Sequence, residues 1–446
     1  MVASSSIYAP WTPPIQNTVA FVYNIADPSN PSFETYYAAS GYPITSRLQD
    51  GFLYSLSEFY VWKSETGVYS LPKATVDDKT SEISLKDIHY DPEVNDPSYF
   101  LNIVAIDLAS GNVETKSIIG GWSSVIYKSQ DSLFLTFEKW NWQDMPIAIM
   151  SDAGSKPLVT TTVYKIAVDG LAMAVTARGD FNGVLLNQFA LDEKDGYLRL
   201  VANNGDWDHR LNAVYILDSD LAIIGSLENL AANESIQAAR FVGDTLYLVT
   251  FRRVDPLFVI DLSTPTAPRV LGELTIPGFS TYLHPIDGGH LLGIGRENSS
   301  VKISIYDVSD PANPLETSKY IVPGYSYTSA DSNFKALLFS AEKNLLVIPV
   351  YSWSYYGDNY SSQSGFYVFS VSPQTGIDLR GIIGQGSSPF DYYGDTKTLF
   401  IGDYLYTIID RSIGVNAISD LSAVGSLELP TSYSYYYMYS GAKALA

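Results

Sequence analysis

Short apolar stretches recur along the chain, and each is bounded by turn residues. In the segment Ala239–Gly278, four strand-length stretches are separated by a Gly243-Asp244 turn and by prolines. Tight hairpins need residues that accept positive φ, and proline ends strand pairing. No segment longer than a turn or two has an apolar period of 3.6 residues. The pattern therefore predicts antiparallel β-structure with very little helix.

A signature of apolar residues followed by Asp and proline marks the third strand of each repeat. Its clearest copy is Leu257–Ser263, which is followed by Pro265 and Pro268. The other copies are Val22–Pro28, Ile103–Leu108, Val163–Ile166, Val214–Leu217, Ile305–Pro311, Tyr367–Val371 and Ile413–Ile418. A second signature around an Asp-Gly or Gly-Asp turn alternates with it. Four strands in about 40 residues are typical of one propeller blade. We predict an antiparallel all-β propeller of about eight four-stranded blades, with seven as the alternative.

The chain begins inside a repeat unit. Three strand-like segments within residues 1–41 correspond to the second, third and fourth strands of a blade. The Tyr-rich tail at residues 431–440 follows the last complete unit. We predict a single domain over residues 1–446 in which this tail closes the partial first blade, because an open sheet edge leaves backbone groups unpaired. Addition of a strand from a neighbouring subunit is the alternative.

Composition restricts the partners of the chain. Charged residues make up 17%, the net charge is −21, and Tyr occurs 34 times. A negative field repels nucleic acid and anionic lipid, so we expect no nucleic-acid partner. No apolar run of about 18 residues is present, so we expect no direct membrane insertion. No secretory signal is visible at Met1, so an exported form would carry its signal upstream.

The segment Gln237–Gly295 resembles an archaeal family of secreted β-propellers, C-terminal propeller proteins that are distantly related to WD-type repeats. The matching blocks are Ala239–Asp244, Val254–Leu262, Ile276–Pro285, Leu186–Phe189 and Gly41–Arg47. The resemblance covers roughly residues 18–430. It implies a propeller fold and an exported protein associated with the cell surface. It implies no established enzymatic activity.

One polar loop has the residue types of a calcium site. Asn203, Asp206 and Asp208 supply oxygens at alternate spacing, and hard cations such as Ca²⁺ prefer oxygen ligands. The loop lacks a closing Glu and EF-hand spacing, so a solvated hairpin loop is the alternative interpretation. Cys is absent, which excludes thiolate sites. We therefore expect no cofactor unless it is Ca²⁺ at these three residues.

Histidine and nucleophile patterns give no catalytic site. His284 and His290 flank a hairpin without a third ligand, so packing or hydrogen bonding is favoured over zinc. The chain has no Gly-x-Ser-x-Gly motif and no phosphate-binding Gly-rich loop before a helix. Acidic pairs arise freely in a chain with 48 acidic residues. These observations favour a protein that is not an enzyme.

Aromatic insertions are the strongest candidates for a binding surface. One predicted loop runs from Tyr351 to Tyr360, and another contains Trp140 and Trp142. Tyr and Trp with Ser, Gly and Asn combine rigid aromatic area with adaptable hydrogen bonding. Packing of the insertions against each other is the alternative. The binding-surface candidates are Trp353, Tyr355, Tyr356, Trp140 and Trp142.

Three glycosylation sequons fall in predicted loops, with acceptors Asn233, Asn298 and Asn359. Together with the Tyr-, Ser- and Thr-rich composition, they favour an extracellular or cell-surface location. We expect a non-catalytic scaffold or binding protein that is part of an envelope or surface assembly. Its expected partners are other surface proteins, further copies of itself, or glycans. The alternative function is a polysaccharide-active hydrolase or lyase that uses the open face of the propeller.

Overall fold

A computed structural model gives the structure of the chain. It describes residues 2–7, 15–27, 30–61, 67, 69–76, 78–90, 92, 98–121, 123–140, 159–205, 210–251, 255–331, 333–356, 359–386, 396–409 and 411–429. Over these residues the regular structure is β-strand with four short 3₁₀ turns, and no α-helix is present among them. The prediction of a nearly pure β-protein is confirmed.

The chain divides into two compact units. The first contains Met1–Asn233 and Pro265–Ala267, and the second contains Glu234–Thr264 and Pro268–Ala446. Each unit holds four sheets, so the described residues form eight sheets. This number agrees with the eight copies of the third-strand signature, seven of which overlap the third strand of their sheet, while the copy that begins at Val22 overlaps β2.

The described residues of the first unit form nineteen strands and two 3₁₀ turns. In chain order the strands are β1 (Val2–Ile7), β2 (Ile15–Asn24), β3 (Ser32–Ser40), β4 (Tyr42–Gln49), β5 (Phe52–Tyr60), β6 (Lys73–Val76), β7 (Lys79–Glu82), β8 (Ile88–Tyr90), β9 (Tyr99–Asp107), β10 (Val113–Gly120), β11 (Ser123–Lys128), β12 (Ser132–Trp140), β13 (Val159–Asp169), β14 (Ala172–Asn182), β15 (Val184–Leu185), β16 (Leu191–Lys194), β17 (Tyr197–Gly205), β18 (Arg210–Leu217) and β19 (Ile223–Leu230). The 3₁₀ turns are Leu85–Asp87 and Gln188–Ala190. The sheet orders are β1-β2-β3-β6-β7, β4-β5-β9-β10-β8, β11-β12-β13-β14 and β15-β17-β18-β19, with β16 also beside β17.

The second unit repeats the four-stranded pattern with fewer additions. Its strands are β20 (Ser235–Val242), β21 (Thr245–Phe251), β22 (Asp255–Asp261), β23 (Arg269–Ile276), β24 (Phe279–Pro285), β25 (His290–Glu297), β26 (Ser300–Asp307), β27 (Leu315–Ile321), β28 (Tyr325–Tyr327), β29 (Leu338–Ser340), β30 (Leu345–Tyr356), β31 (Asn359–Ser372), β32 (Gly376–Gly386), β33 (Lys397–Ile401), β34 (Tyr404–Ile409), β35 (Ser412–Ala417) and β36 (Ala423–Glu428). The 3₁₀ turns are Ser329–Asp331 and Phe334–Ala336. The sheets are β20-β21-β22-β23, β24-β25-β26-β27, β28-β30-β31-β32 with β29 beside β30, and β33-β34-β35-β36.

Four of the eight described sheets have a fifth strand beyond the expected four: the fourth and seventh sheets through β16 and β29, and the first two sheets through an insertion. The polar insertion after Tyr60 adds β6 and β7 to the edge of the first sheet beyond β3. It also supplies β8, which pairs in parallel with β10 of the second sheet through Ile88, His89 and Tyr90. An edge strand depends less on a hydrophobic face than a central strand does, so a polar segment can pair at the edge of a sheet.

The first sheet begins with β1, β2 and β3, which pair in chain order. The predicted closing tail at residues 431–440 lies outside the described residues. Its pairing with the first sheet stays a prediction.

Residues with positive φ form the hairpin turns that the sequence indicated. Asp50 and Gly51 have φ of 51° and 84°, and Asp195 and Gly196 have 53° and 82°. Such values match the right-handed twist of the strands that the turns join. The Asp-Gly pairs therefore mark the boundary between the first and second strands of a repeat.

Neighbouring sheets within a unit approach each other closely at glycines of fourth strands. A Cβ atom on Gly179 would lie 2.3 Å from the carbonyl oxygen of Leu221, in the connection between β18 and β19. A Cβ atom on Gly272 would lie 2.3 Å from the carbonyl oxygen of Pro311, between β26 and β27. Only glycine allows the connection of one sheet to lie on the fourth strand of the sheet before it.

Aliphatic residues fill the space between the sheets of each unit. In the second unit, one cluster joins the sixth and seventh sheets through Ile294, Ile303, Ile348 and Phe369. In the first unit, Leu56, Ile103, Leu135 and Ile166 form a comparable cluster between the second and third sheets. Both faces of these sheets are covered, as expected for strands that alternate apolar residues on both sides.

Candidate functional site

The two longest strands of the seventh sheet, β30 and β31, form a hairpin. Their register runs from Leu345 opposite Ser370 to Tyr356 opposite Asn359. We define the inner half as residues 345–350 with 365–370, and the outer half as residues 351–356 with 359–364. Six further residues extend a strand by about 20 Å. The expectation of a loop from Tyr351 to Tyr360 is wrong, because β30 continues to Tyr356 and β31 begins at Asn359.

The register places six aromatic residues on one face of the seventh sheet. Residues directly opposite in an antiparallel pair share a face, and so do residues two apart on one strand. Tyr325 of β28 lies opposite Trp353, and Tyr327 lies opposite Tyr351. Tyr355 lies opposite Tyr360. We name this set of six residues the aromatic face.

The rings of the aromatic face form a continuous series. The rings of Tyr325 and Trp353 stack with their centroids 5.7 Å apart and their planes at 18°. Tyr351 lies 5.5 Å from Trp353 and 5.3 Å from Tyr327. Tyr355 and Tyr360 continue the series at 5.4 Å. Mutual packing holds the rings in place and leaves their outer surfaces available to a ligand.

Exposure is highest toward the end of the hairpin. Tyr355 is 63% exposed, Tyr360 53% and Tyr325 49%, whereas Tyr351 is 9% exposed. Contiguous exposed aromatic surface on a folded domain is typical of an interaction site. The aromatic face is therefore the best candidate binding surface in the described part of the chain.

A hydrogen bond fixes two tyrosines of the aromatic face. The hydroxyl oxygens of Tyr351 and Tyr360 are 2.6 Å apart. This bond raises the pKa of Tyr351 and lowers the pKa of Tyr360, as expected when Tyr351 donates. The bond links β30 to β31 and restrains the ring of Tyr360 beside that of Tyr355.

The opposite face of the outer half is built from small polar residues. Ser352 and Ser354 alternate with the aromatic residues of β30, and Gln363 and Ser361 lie opposite them on β31. The hydroxyl of Ser352 lies 3.2 Å from that of Tyr367. The sequences of β30 and β31 contain no Asp, Glu, Lys or Arg. The outer half is therefore aromatic on one side, hydroxylated on the other, and uncharged.

The other predicted binding residues are not among the six residues of the aromatic face. Trp140 ends β12, is 44% exposed, and its Nε1 donates to Glu138 at 3.1 Å. Trp142 lies outside the described residues. Tyr356 is the last residue of β30. Trp140 belongs to the third sheet, in the first unit, whereas the aromatic face belongs to the seventh sheet, in the second unit.

Two of the three predicted calcium ligands, Asp206 and Asp208, lie outside the described residues. Asn203 lies in β17, and its Nδ2 donates to Oδ1 of Asn212 at 2.8 Å. Among the described residues no group of three His, Cys, Asp or Glu side chains is arranged for a metal. Calcium binding stays a prediction.

The glycosylation acceptors occupy turns. Asn233 and Asn298 are exposed, with φ of 68° and 55° in connections between strands. Asn359 is the first residue of β31, next to the end of the hairpin. Their modification stays a prediction.

A polar cluster of the second unit contains the most perturbed histidine. The hydroxyl of Tyr282 lies 3.0 Å from Nδ1 of His284, and the ring of Phe339 packs 5.1 Å from the imidazole. Burial lowers the pKa of His284 to about 4, and the positive charge of Arg240 acts in the same direction. His284 is therefore neutral at physiological pH. His290 instead bonds to Asp287 at 2.8 Å, so the two histidines have separate partners, as the sequence favoured.

A buried carboxylate lies near this cluster. Arg296 Nε donates to Asp331 at 2.9 Å, and the hydroxyl of Thr281 donates to it at 3.2 Å. Burial raises the pKa of Asp331, while the charge and the hydrogen bond of Arg296 oppose that effect. Both carboxylate oxygens are bonded within the protein. This arrangement is typical of a structural ion pair rather than of a general acid.

A narrow cleft in the first unit is lined by Arg47, Tyr54 and Lys128. Arg47 donates to the hydroxyl of Thr45 and to the side chain of Gln188, each at 2.8 Å. Lys128 donates to backbone carbonyls at 2.6 and 2.7 Å. Burial lowers the pKa of Lys128. Both cations bond to acceptors of the protein itself, so the cleft is a weaker candidate than the aromatic face.

Sequence reasoning missed Tyr325 and Tyr327. They come about 25 residues before Trp353 in the chain, on the short strand β28, and only sheet pairing brings them to the aromatic face. The alternating sequence Tyr325-Ser326-Tyr327, which matches Tyr351-Ser352-Trp353, was the available signal.

Comparison with known families and proteins agrees with the repeat. The Beta propeller domain family matches residues 2–421. The chain therefore belongs to the beta propeller domain family, and its eight sheets are the blades of that fold.

Two curated archaeal relatives are similar to parts of the chain. An uncharacterized protein of Archaeoglobus fulgidus is 38% identical over 264 residues, which are 59% of this chain and 38% of the relative. An uncharacterized protein of Methanocaldococcus jannaschii is 43% identical over 199 residues, which are 44% of this chain and 31% of the relative. The matched regions thus span about a third of each of these relatives.

Among solved structures, apo AztD from Citrobacter koseri is similar at 11% identity with a TM-score of 0.44, covering 89% of this chain and 96% of AztD. A second AztD structure gives 10% identity and the same TM-score, covering 89% and 95%. Within the described residues, no helix has the length and apolar character needed to cross a membrane.

Proposed function

We propose that the chain is a non-catalytic binding protein of the cell surface or extracellular space, and that the aromatic face is its binding surface. The single observation that carries the proposal is the extension of the hairpin beyond its core with exposed Tyr355 and Tyr360. An extension that buries little apolar surface adds little to folding, so its retention as ordered aromatic surface favours a role in binding.

Three features support an extracellular location. The surface is rich in Tyr and Ser and low in Lys, and the net charge is −21. The acceptors Asn233 and Asn298 are exposed, as glycosylation requires. The resemblance to secreted archaeal propellers points the same way. We therefore propose that the chain acts in an envelope or surface assembly.

Co-sedimentation with cell envelopes of the source organism tests the proposal. The wild-type chain is expected to sediment with the envelopes. The double variant Trp353→Ala/Tyr355→Ala is expected to remain in the supernatant, because it removes the most exposed ring of the aromatic face and the ring on which Tyr325 stacks. Tyr404→Ala is a matched control, since Tyr404 is 45% exposed on β34 of another sheet. This variant is expected to sediment with the envelopes as the wild type does.

Two results would overturn this proposal. One is failure of the wild-type chain to bind envelopes, and the other is equal binding by wild type and the double variant. The same incubation tests the alternative function, because a hydrolase or lyase shortens envelope polysaccharides. Size analysis of the released glycans would then show new short products, and the protein would be an enzyme.

A further inference from the structure

The aromatic face has the chemistry of a surface that recognises sugar rings. One side of a pyranose ring presents C–H groups with small positive partial charges, and aromatic rings present a negative π-face. Tyr325, which is 49% exposed and whose ring stacks on that of Trp353 with the planes 18° apart, offers such a platform. Tyr355 and Tyr360 are the most exposed residues of the series, and a tyrosine hydroxyl can both donate a hydrogen bond to a sugar hydroxyl and accept one from it.

The spacing of the aromatic face suits a chain of sugars. Trp353 and Tyr355 are two residues apart on β30, a distance of about 6.6 Å along the strand. This step is comparable to the length of one pyranose unit with its linkage. A linear glycan that lies along β30 can therefore place successive rings on Trp353 and Tyr355, with Tyr325 and Tyr360 beside them.

Charge decides which glycans fit. The sequences of β28, β30 and β31 contain no acidic or basic residue. The chain as a whole has a net charge of −21. Nothing on the aromatic face compensates the carboxylate or sulfate groups of an acidic glycan, and the field of the protein repels them. A protein partner with a charged surface has no complementary group there either.

We infer that the aromatic face binds a neutral, linear glycan chain by stacking of successive sugar rings on Trp353 and Tyr355. This inference rests on the proposed function and specifies its ligand. Recognition is by ring stacking and hydrogen bonds, so binding does not depend on ionic strength. Short mono- and disaccharides bind weakly because they cover only part of the series of rings.

Affinity measurements with defined polysaccharides test this inference. Isothermal titration of the full chain uses two neutral probes, a soluble β-glucan and a soluble xylan, and one acidic probe, polygalacturonate. At least one neutral probe is expected to bind, with an affinity unchanged by added salt, and polygalacturonate is expected not to bind. Trp353→Ala is expected to weaken the neutral interaction about tenfold or more, and Tyr404→Ala to leave it unchanged.

The outcomes separate this inference from the proposed function. Two results overturn the glycan inference and leave the proposed function intact. One is binding to polygalacturonate alone. The other is that neither neutral probe binds, although the chain still sediments with envelopes. Equal affinity of wild type and Trp353→Ala overturns the glycan inference too. A melting temperature within about two degrees of wild type shows that the variant is folded. Self-association that is lost in Trp353→Ala would assign the face to a second copy of the chain.

Discussion

The inner and outer halves of the β30–β31 hairpin are made by the same two strands and have opposite surroundings. In the inner half, Ile348 and Phe366 are 0% exposed between aliphatic neighbours. In the outer half, Tyr355 is 63% exposed. The inner half uses Leu, Val and Ile, and the outer half uses Tyr, Trp and Ser, although both are good strand formers. A β-strand therefore does not have to be buried. The residue types determine that the inner half packs into the core and that the outer half presents an exposed aromatic surface.

The largest expected effect contrasts the two halves directly. Phe369→Ala removes a fully buried ring from the cluster of the sixth and seventh sheets, so we expect a loss of about 3–5 kcal/mol in the free energy of unfolding. Tyr355→Ala changes an exposed side chain, and we expect a change within about 0.5 kcal/mol. Urea denaturation followed by circular dichroism measures both. Comparable losses in the two variants would show that the outer half contributes to the core after all.

An intermediate effect is expected at His284, which is partly buried beside the inner half. The unfolded histidine has a pKa of about 6.5, and the folded value is about 4. The unfolded state therefore binds a proton first as the pH falls. The contribution of His284 to stability is present above about pH 6.5 and is lost as the pH falls toward 4, by about 2 kcal/mol after allowance for solvent screening.

Urea denaturation at pH 7.5 and pH 4.5 measures this dependence. His284→Asn keeps a polar group near Tyr282 without a titrating ring, and we expect a smaller fall in stability between the two pH values than in wild type. His290→Asn is the matched control, because His290 bonds to Asp287 in a more exposed turn. An unchanged fall in His284→Asn would assign the pH dependence to other groups.

The smallest expected effect lies within the outer half. Tyr351→Phe removes the hydroxyl that bonds to Tyr360, so the lowered pKa of Tyr360 should rise toward its ordinary value. The free energy of unfolding should change by only about 0.5 kcal/mol, because the bond is near solvent. Ultraviolet titration of the phenols measures the pKa values. Tyr355→Phe should leave the pKa of Tyr360 where it is, and the same shift in both variants would contradict the assignment.

The repeat was predictable because its signals are local. Asp50-Gly51 and Asp195-Gly196 require positive φ within a few residues of chain, and the structure places them in the expected turns. The third-strand signature combines apolar alternation with proline, and seven of its eight copies overlap a third strand. The strands Lys73–Val76 and Lys79–Glu82 were not predictable, because polar edge strands depend on a neighbour that the local sequence does not name.

The candidate site was predictable only in part. Trp353 and Tyr355 were found from composition, but their segment was placed in a loop because Tyr/Ser alternation lacks the aliphatic residues of a core strand. Tyr325 and Tyr327 were missed because their contribution arises from pairing between β28 and β30. Local composition can indicate binding chemistry, while the face that presents it is set by long-range register.

The glycine contacts between neighbouring sheets have an evolutionary consequence. Gly179 receives the backbone of Leu221, and Gly272 receives that of Pro311, each from the next repeat along the chain. The fourth repeat, which holds Leu221 and also Gly225 against the carbonyl oxygen of Pro265, thus carries both members of the contact: a glycine for its successor and a connection for its predecessor. A repeat that is duplicated in tandem can fit beside its own copy without a compensating substitution. Growth of the array by gene duplication is therefore sterically permitted from the first copy onward.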